Sequence, residues 1–353
     1  MSAAANTPAA VAANAPTAGA VTSPAAGAAT AVSPSASPSF SAEADDLAAP
    51  LYVAWQITNE CNLACLHCIE ESGPGKAFPD ELDAAEVFAV IDQLMDSDVP
   101  YLSFSGGEPM LHPQFFEMVE RVTSRGAELK IETNGHYLTP DNCARLKELE
   151  VKAVQVSLDG AAAASFNRMR VRGDFDRCVE GLRNLRTAGV PVEINFSPAR
   201  FNMNEIGAAV DLAHELGAYS FYTGRTMYTG NAVKAWRHLQ IEDADYERFF
   251  DALRQKADEY RGRMRVYFHE AGLLEELRFR LQHPAALLIV LPNGLVKIIN
   301  ALPFICGDFR KQTLDEIWAN FRRAWRDPRV AAFVDELAAD PGRTRSLHQW
   351  VHL

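Results

Sequence analysis

From residue 50 onward, short runs rich in β-branched and aromatic residues alternate with longer stretches whose apolar positions recur every three or four residues. Strands are predicted over 51–58 (LYVAWQIT), 99–106 (VPYLSFSG), 127–134 (AELKIETN), 151–158 (VKAVQVSL), 190–197 (VPVEINFS) and 219–225 (YSFYTGR). Helices are predicted between them over 83–96, 112–125, 140–150, 175–189 and 204–217. Several of these helices start near Asp, Asn or Pro and stop near Gly, as the backbone groups at helix ends require. Strand and helix in alternation give parallel βα units and an α/β fold. In such an array the site forms at the C-terminal ends of the strands, and these ends read CNLACLHC, SGGEPM, ETNG, SLDG, NFSP and GRTMYTG.

The first 42 residues break the pattern. They are mostly Ala, Pro, Ser, Thr and Gly without a charge before Glu43, so residues 1–47 are expected to be a disordered tail. No basic start or long apolar core marks a secretory signal, which leaves a cytoplasmic protein as the expectation. The chain has 353 residues, 48% of them hydrophobic, and no apolar run near the roughly 18 residues of a membrane span. A net charge of −12 argues against wrapping nucleic acid. Half of the six cysteines fall within eight positions, a spacing that suits metal binding better than disulfides.

Those three are Cys61, Cys65 and Cys68. A structural zinc usually takes four ligands, and His67 could be the fourth only if adjacent residues of a tight loop converged on one ion. A four-iron cluster held by three thiolates fits better, because it leaves one iron open to an external ligand. Here the residues match a family: C-x3-C-x-aromatic-C, with His67 as the ring residue, followed by Gly106, Gly107, Glu108 and Pro109 after the next strand, resembles the radical S-adenosylmethionine (SAM) enzymes.

The resemblance implies a partial (β/α)6 TIM-type barrel over 48–230, one [4Fe-4S] cluster on the three cysteines, and SAM bound to the open iron. It also implies an enzyme that cleaves SAM reductively to a 5′-deoxyadenosyl radical, which takes hydrogen from a substrate. Glu108 is expected to reach the SAM amino group, Ser157 the ribose or carboxylate, Glu132 the ribose, and Arg170 the carboxylate, with Arg168 or Arg172 as alternatives to it. Asn195 and Asn134 stand at strand ends, where capping and cofactor contact are both open.

Residues 231–353 resemble the SPASM or twitch extension of peptide-modifying members, in the turn Pro292-Asn293-Gly294 and the run from Thr313 to Trp318. Such extensions carry several cluster cysteines, whereas this one has only Cys306, so a single cluster and a small α+β extension are expected. Cys306 is either a hydrogen-atom donor, as in some radical SAM epimerases, or a plain core thiol. Cys143 and Cys178 read as buried helix residues, and Trp236 and His238 as packing. The favoured substrate is a ribosomally made peptide, with small-molecule tailoring as the alternative and a non-catalytic iron–sulfur or zinc protein behind both. A low-potential donor such as flavodoxin or ferredoxin is implied. No leader-binding domain is visible before residue 50, so a separate leader-binding protein is expected for a peptide substrate.

Overall fold

Alternation works as a guide because each strand buries one face under helices. In the strand Glu128–Thr133, Leu129 and Ile131 are fully buried, while Lys130 and Glu132 lie on the concave side and reach each other at 3.4 Å. The computed structural model describes residues 43–353. The six predicted strands are β1 (Tyr52–Gln56), β2 (Tyr101–Ser105), β3 (Glu128–Thr133), β4 (Ala153–Ser157), β5 (Val192–Phe196) and β6 (Ser220–Gly224), each parallel to the next. Between them lie α1 (Ala84–Asp96), α2 (Phe115–Thr123), α3 (Pro140–Glu148), α4 (Ala163–Met169), α5 (Phe175–Ala188) and α6 (Ile206–Glu215). The start of α1 is fixed by a capping box between Asp83 and Glu86, and α5 stops at Gly189 in the left-handed conformation.

The sheet does not end at residue 230. After α7 (Asn231–Leu239) and α8 (Asp243–Glu259), a seventh parallel strand, β7 (Arg265–His269), pairs with β6. Its RVYFH sequence is exposed at both ends and only half-buried between them, so its alternation is weak. Past α9 (Leu273–Gln282), β8 (Leu287–Val290) pairs with the free edge of β1. Next come β9 (Leu295–Lys297), β10 (Phe304–Asp308), α10 (Leu314–Ala324), α11 (Pro328–Ala339) and β11 (Val351–His352). The result is one eleven-stranded sheet in the order β11-β10-β9-β8-β1-β2-β3-β4-β5-β6-β7, antiparallel only at β8–β9 and β9–β10. The C-terminal extension is thus hydrogen-bonded into the barrel sheet.

The extension is also held from the side. Arg310 donates to the Glu86 carboxylate at 2.7 and 2.8 Å, and to the carbonyls of Asp80 and Asn293 at 3.1 and 3.0 Å. Of the expected tail, residues 1–42 lie outside the described residues. Residues 43–47 are ordered: Ala44 is buried in a 3₁₀ turn, and Leu47 accepts a hydrogen bond from the Trp318 indole at 2.9 Å. Residues 43–47 therefore depart from the expected tail, because this segment packs on the extension's apolar core. Cys143 and Cys178 are fully buried on α3 and α5. Among the described residues no helix is long and apolar enough to cross a membrane.

Candidate active site

The loops after β1 and β2 are fastened backbone to backbone. Gly107 N donates to Thr58 O at 2.7 Å and Glu108 N to Glu60 O at 2.9 Å. Gly106 has φ of +138°, and a Cβ there would lie 2.3 Å from Thr58 O; one on Gly107 would lie 2.0 Å from Glu60 O. Only glycine permits this approach. The cysteine loop is tied from its outer side too, since the Glu60 carboxylate accepts from the amides of Gly75, Lys76 and Ala77 at 2.9, 3.0 and 3.2 Å.

A third tie comes from further along the chain. Asn231 N donates to Cys68 O at 2.9 Å and its side chain to Cys65 O at 3.1 Å. Gly230 before it has φ +54° and ψ −133°, and a Cβ there would meet Cys68 O and Ile69 O at 2.4 Å.

With the loop so held, Cys61, Cys65 and Cys68 line one cavity of about 680 Å³, open mouth included. Its wall also includes Gly106, Gly107, His67 and Arg170, together with a polar row of Glu132, Gln155, Ser157 and Asn195. The row follows from register: Glu132 pairs with Gln155, and Ser157 with Asn195, on adjacent parallel strands. Burial pushes the thiols up, Cys61 to about 11 and Cys65 to about 12. Donors already point at the sulfurs: Leu63 N lies 3.4 Å and Asn134 Nδ2 3.8 Å from Cys61 Sγ, and Arg170 Nη1 3.7 Å from Cys65 Sγ.

Arg170 and His67 share a carboxylate. Asp159 is fully buried, with Oδ2 2.8 Å from Arg170 Nε and 3.4 Å from His67 Nε2, while its Oδ1 accepts from Ser197 N at 2.7 Å. The Arg170 contact is an ion pair without hydrogen-bond alignment. Burial opposes the Arg170 charge, yet Asp159 and the nearby thiols more than offset it, so its pKa is raised. Burial drives His67 down to about 4, leaving the ring neutral.

Glu108 and Pro109 sit behind the cavity wall. The Glu108 carboxylate is fully buried and accepts from Thr133 Oγ1 at 2.8 and 2.9 Å, from Asn134 N at 2.9 Å and from Met110 N at 3.3 Å. Those bonds occupy it and join the β2 loop to the end of β3. Burial outweighs them and raises its pKa to about 7. Pro109 starts the 3₁₀ turn that follows. Cys306 does not line this cavity; its buried thiol donates across the hairpin to Val296 O at 3.4 Å. Arg168 and Arg172 are exposed and absent from the wall, whereas Arg170 is part of it.

Asp159, Gln155 and the Gly230-Asn231 clamp have no place in the sequence reading. Asp159 lies two residues after Ser157 in the same SLDG, but its ion pair spans eleven positions and depends on the fold. In NAVKAWRHL the hydrogen bonds to the cysteine loop come from the helix start, Asn231, and not from the rings of Trp236 and His238.

The donor set fits a cluster better than one ion. Among the described residues no three His, Cys, Asp or Glu side chains come close enough to hold a single metal. Three thiols spread over one cavity, with N–H groups aimed at two of them, suit a multi-iron group whose thiolates bind separate irons.

A parallel βα sheet that gathers three cysteines, a glycine pair and a polar row at its strand ends defines an iron–sulfur site of the radical SAM kind. Residues 55–213 match the Radical SAM superfamily. An AdoMet-dependent heme synthase of Methanosarcina barkeri (strain Fusaro / DSM 804) is 30% identical over 303 residues, 79% of this chain and 86% of that protein. Mycofactocin maturase MftC of Mycolicibacterium smegmatis is 34% identical over 233 residues, 64% of this chain and 57% of its own length, so the chain spans little more than half of that relative. The crystal structure of Streptococcus suis SuiB bound to S-adenosylmethionine shares the fold, with a TM-score of 0.64 at 15% identity, over 77% of this chain and 66% of that one. The chain belongs to the radical SAM superfamily, whose members are enzymes that use a [4Fe-4S] cluster and SAM.

Proposed function

We propose that this chain modifies a ribosomally made peptide by radical SAM chemistry. The observation that carries the chemistry is the single cavity shared by three cysteines, the glycine pair and Arg170. Cys61, Cys65 and Cys68 would hold the cluster, and with SAM bound it supplies reductive cleavage to a 5′-deoxyadenosyl radical that takes hydrogen from the substrate.

The chain's own residues bind and orient. Arg170, held beside Asp159 as an ion pair, presents a guanidinium at the cavity wall where a carboxylate can be received. Gly106 and Gly107 expose backbone at close range. Glu132, Gln155, Ser157 and Asn195 offer hydrogen bonds suited to a ribose. Glu108 acts indirectly, fixing the β2 loop to β3 so that the glycines keep their place.

The peptide reading draws support from the likeness to mycofactocin maturase. A second reading, a small molecule such as a porphyrin, is favoured by the heme synthase match, which covers 79% of this chain. To separate them, the reconstituted protein is given SAM and a reductant with either a bacterial peptide extract or a heme-precursor porphyrin, and 5′-deoxyadenosine is measured by mass spectrometry. Stimulation by the peptide fraction, lost after protease treatment of that fraction, supports the proposal. Stimulation by the porphyrin alone refutes it.

A further inference from the structure

Three segments pack around Leu66, which lies between Cys65 and His67. They are residues 161–173, residues 197–204 and α7, joined through Met169, Ala199, Phe201, Ala232, Ala235 and Trp236. Although the chain carries 46 acidic against 34 basic residues, these segments contain no Asp or Glu. Their exposed charges are Arg168, Arg172, Arg200, Lys234 and Arg237. Among the described residues none of the four arginines has a carboxylate partner; Arg168 rests over the Phe201 ring at 4.2 Å, and only Lys234 is paired, with Glu71 at 2.8 Å.

The same surface exposes an apolar residue beside the cysteines. Val171 is 39% exposed, one of three large hydrophobic residues so placed among the described residues. Its carbonyl accepts from Ala64 N at 2.9 Å, and Met169 O accepts from Leu66 N at 3.0 Å, so the backbone on both sides of Cys65 is bonded to this segment. A partner touching Val171 is one hydrogen bond and one residue away from a cluster cysteine. An exposed apolar residue on a face whose arginines lack carboxylate partners is the complement of an acidic protein surface.

We infer that this face docks an acidic one-electron donor protein that reduces the cluster. The inference rests on the radical SAM reading, which requires an electron from outside the chain. In the step the donor loses one electron and the cluster gains it, with no covalent bond made or broken.

The test uses the reconstituted protein and follows cluster reduction by stopped-flow absorbance, with flavodoxin hydroquinone as one reductant and photoreduced 5-deazariboflavin, small and without a docking surface, as the other. Arg168→Glu with Arg172→Glu is expected to slow flavodoxin at least tenfold at low salt, with rates converging as salt rises and the deazariboflavin rate unchanged. Arg200→Glu with Arg237→Glu, on the other two segments, is expected to act the same way. If neither pair slows flavodoxin more than deazariboflavin, the inference is wrong, including the case where both reductants slow together. The reading beneath it fails differently: reduction would proceed with both reductants, but SAM would yield no 5′-deoxyadenosine in the wild type.

Discussion

Gly107→Ala puts the construction of the site under the most direct physical stress. The added Cβ would lie 2.0 Å from Glu60 O, 2.5 Å from Glu60 C and 2.9 Å from Asn59 O, all backbone atoms with no rotamer to escape into. Restoring even a 3.0 Å contact moves the two loops apart by about 1 Å. That opens the bonds at 2.7 and 2.9 Å which tie the β2 loop to Thr58 and Glu60, one residue before Cys61. Losing both costs about 1–3 kcal/mol, and overpacking adds about 1–3 kcal/mol. The sum is about 2–6 kcal/mol, or a Tm lower by roughly 3–9 °C for a chain of this size. Gly75→Ala is the control: it has φ of +70° but nothing within 4 Å of the new methyl, so only the conformational cost of about 1 kcal/mol applies. Calorimetry of both variants, with iron counted after anaerobic reconstitution, checks the reasoning. A Gly107→Ala protein within about 2 °C of wild type and fully loaded with iron would refute it.

Further expectations follow from the same contacts. Gly230→Ala, with its Cβ 2.4 Å from Cys68 O, is expected to halve iron retention or worse while far-UV circular dichroism stays unchanged; full retention would dismiss the clamp. Glu108 has a folded pKa of about 7 against an ordinary 4.5, so the fold favours its neutral form; that stability is complete below pH 4.5 and is lost as pH rises to 7. The cluster-free wild type should therefore lose on the order of 3 kcal/mol across that window from this group, and Glu108→Gln should flatten the decline in urea unfolding between pH 5 and 8. Arg310→Ala is expected to cost about 1 kcal/mol, a modest value because Glu86 is partly exposed. Glu86 is held down to about 2 by Arg310, so the wild-type advantage should shrink as pH falls from 4.5 toward 2 to the part carried by the Asp80 and Asn293 carbonyls, read by denaturant melts of both proteins.

Local periodicity made most of the barrel legible. Strands such as β3 bury every second side chain, so the pattern survives in one dimension. The strand β7 escaped because both its ends are exposed, and its place was set by pairing with β6. The same contrast holds in the site. Cys61, Cys65 and Cys68 share one loop and could be read together, as could Gly106 and Gly107. Asp159 could not be chosen from SLDG, because its partners Arg170 and His67 come from two other segments. Glu108 was visible as a motif residue, but its role depends on Thr133 and Asn134, which only the β2–β3 pairing brings beside it.

Cys61, Cys65 and Cys68 on one loop would hold an iron–sulfur cluster at which SAM is cleaved. Anaerobic reconstitution with iron and sulfide, an iron count, and a mass-spectrometric assay for 5′-deoxyadenosine after adding SAM and reductant test it most directly. The expected result is about four irons per chain and 5′-deoxyadenosine formed by the wild type, with both lost in Cys65→Ala. One bound metal per chain and no 5′-deoxyadenosine would contradict it.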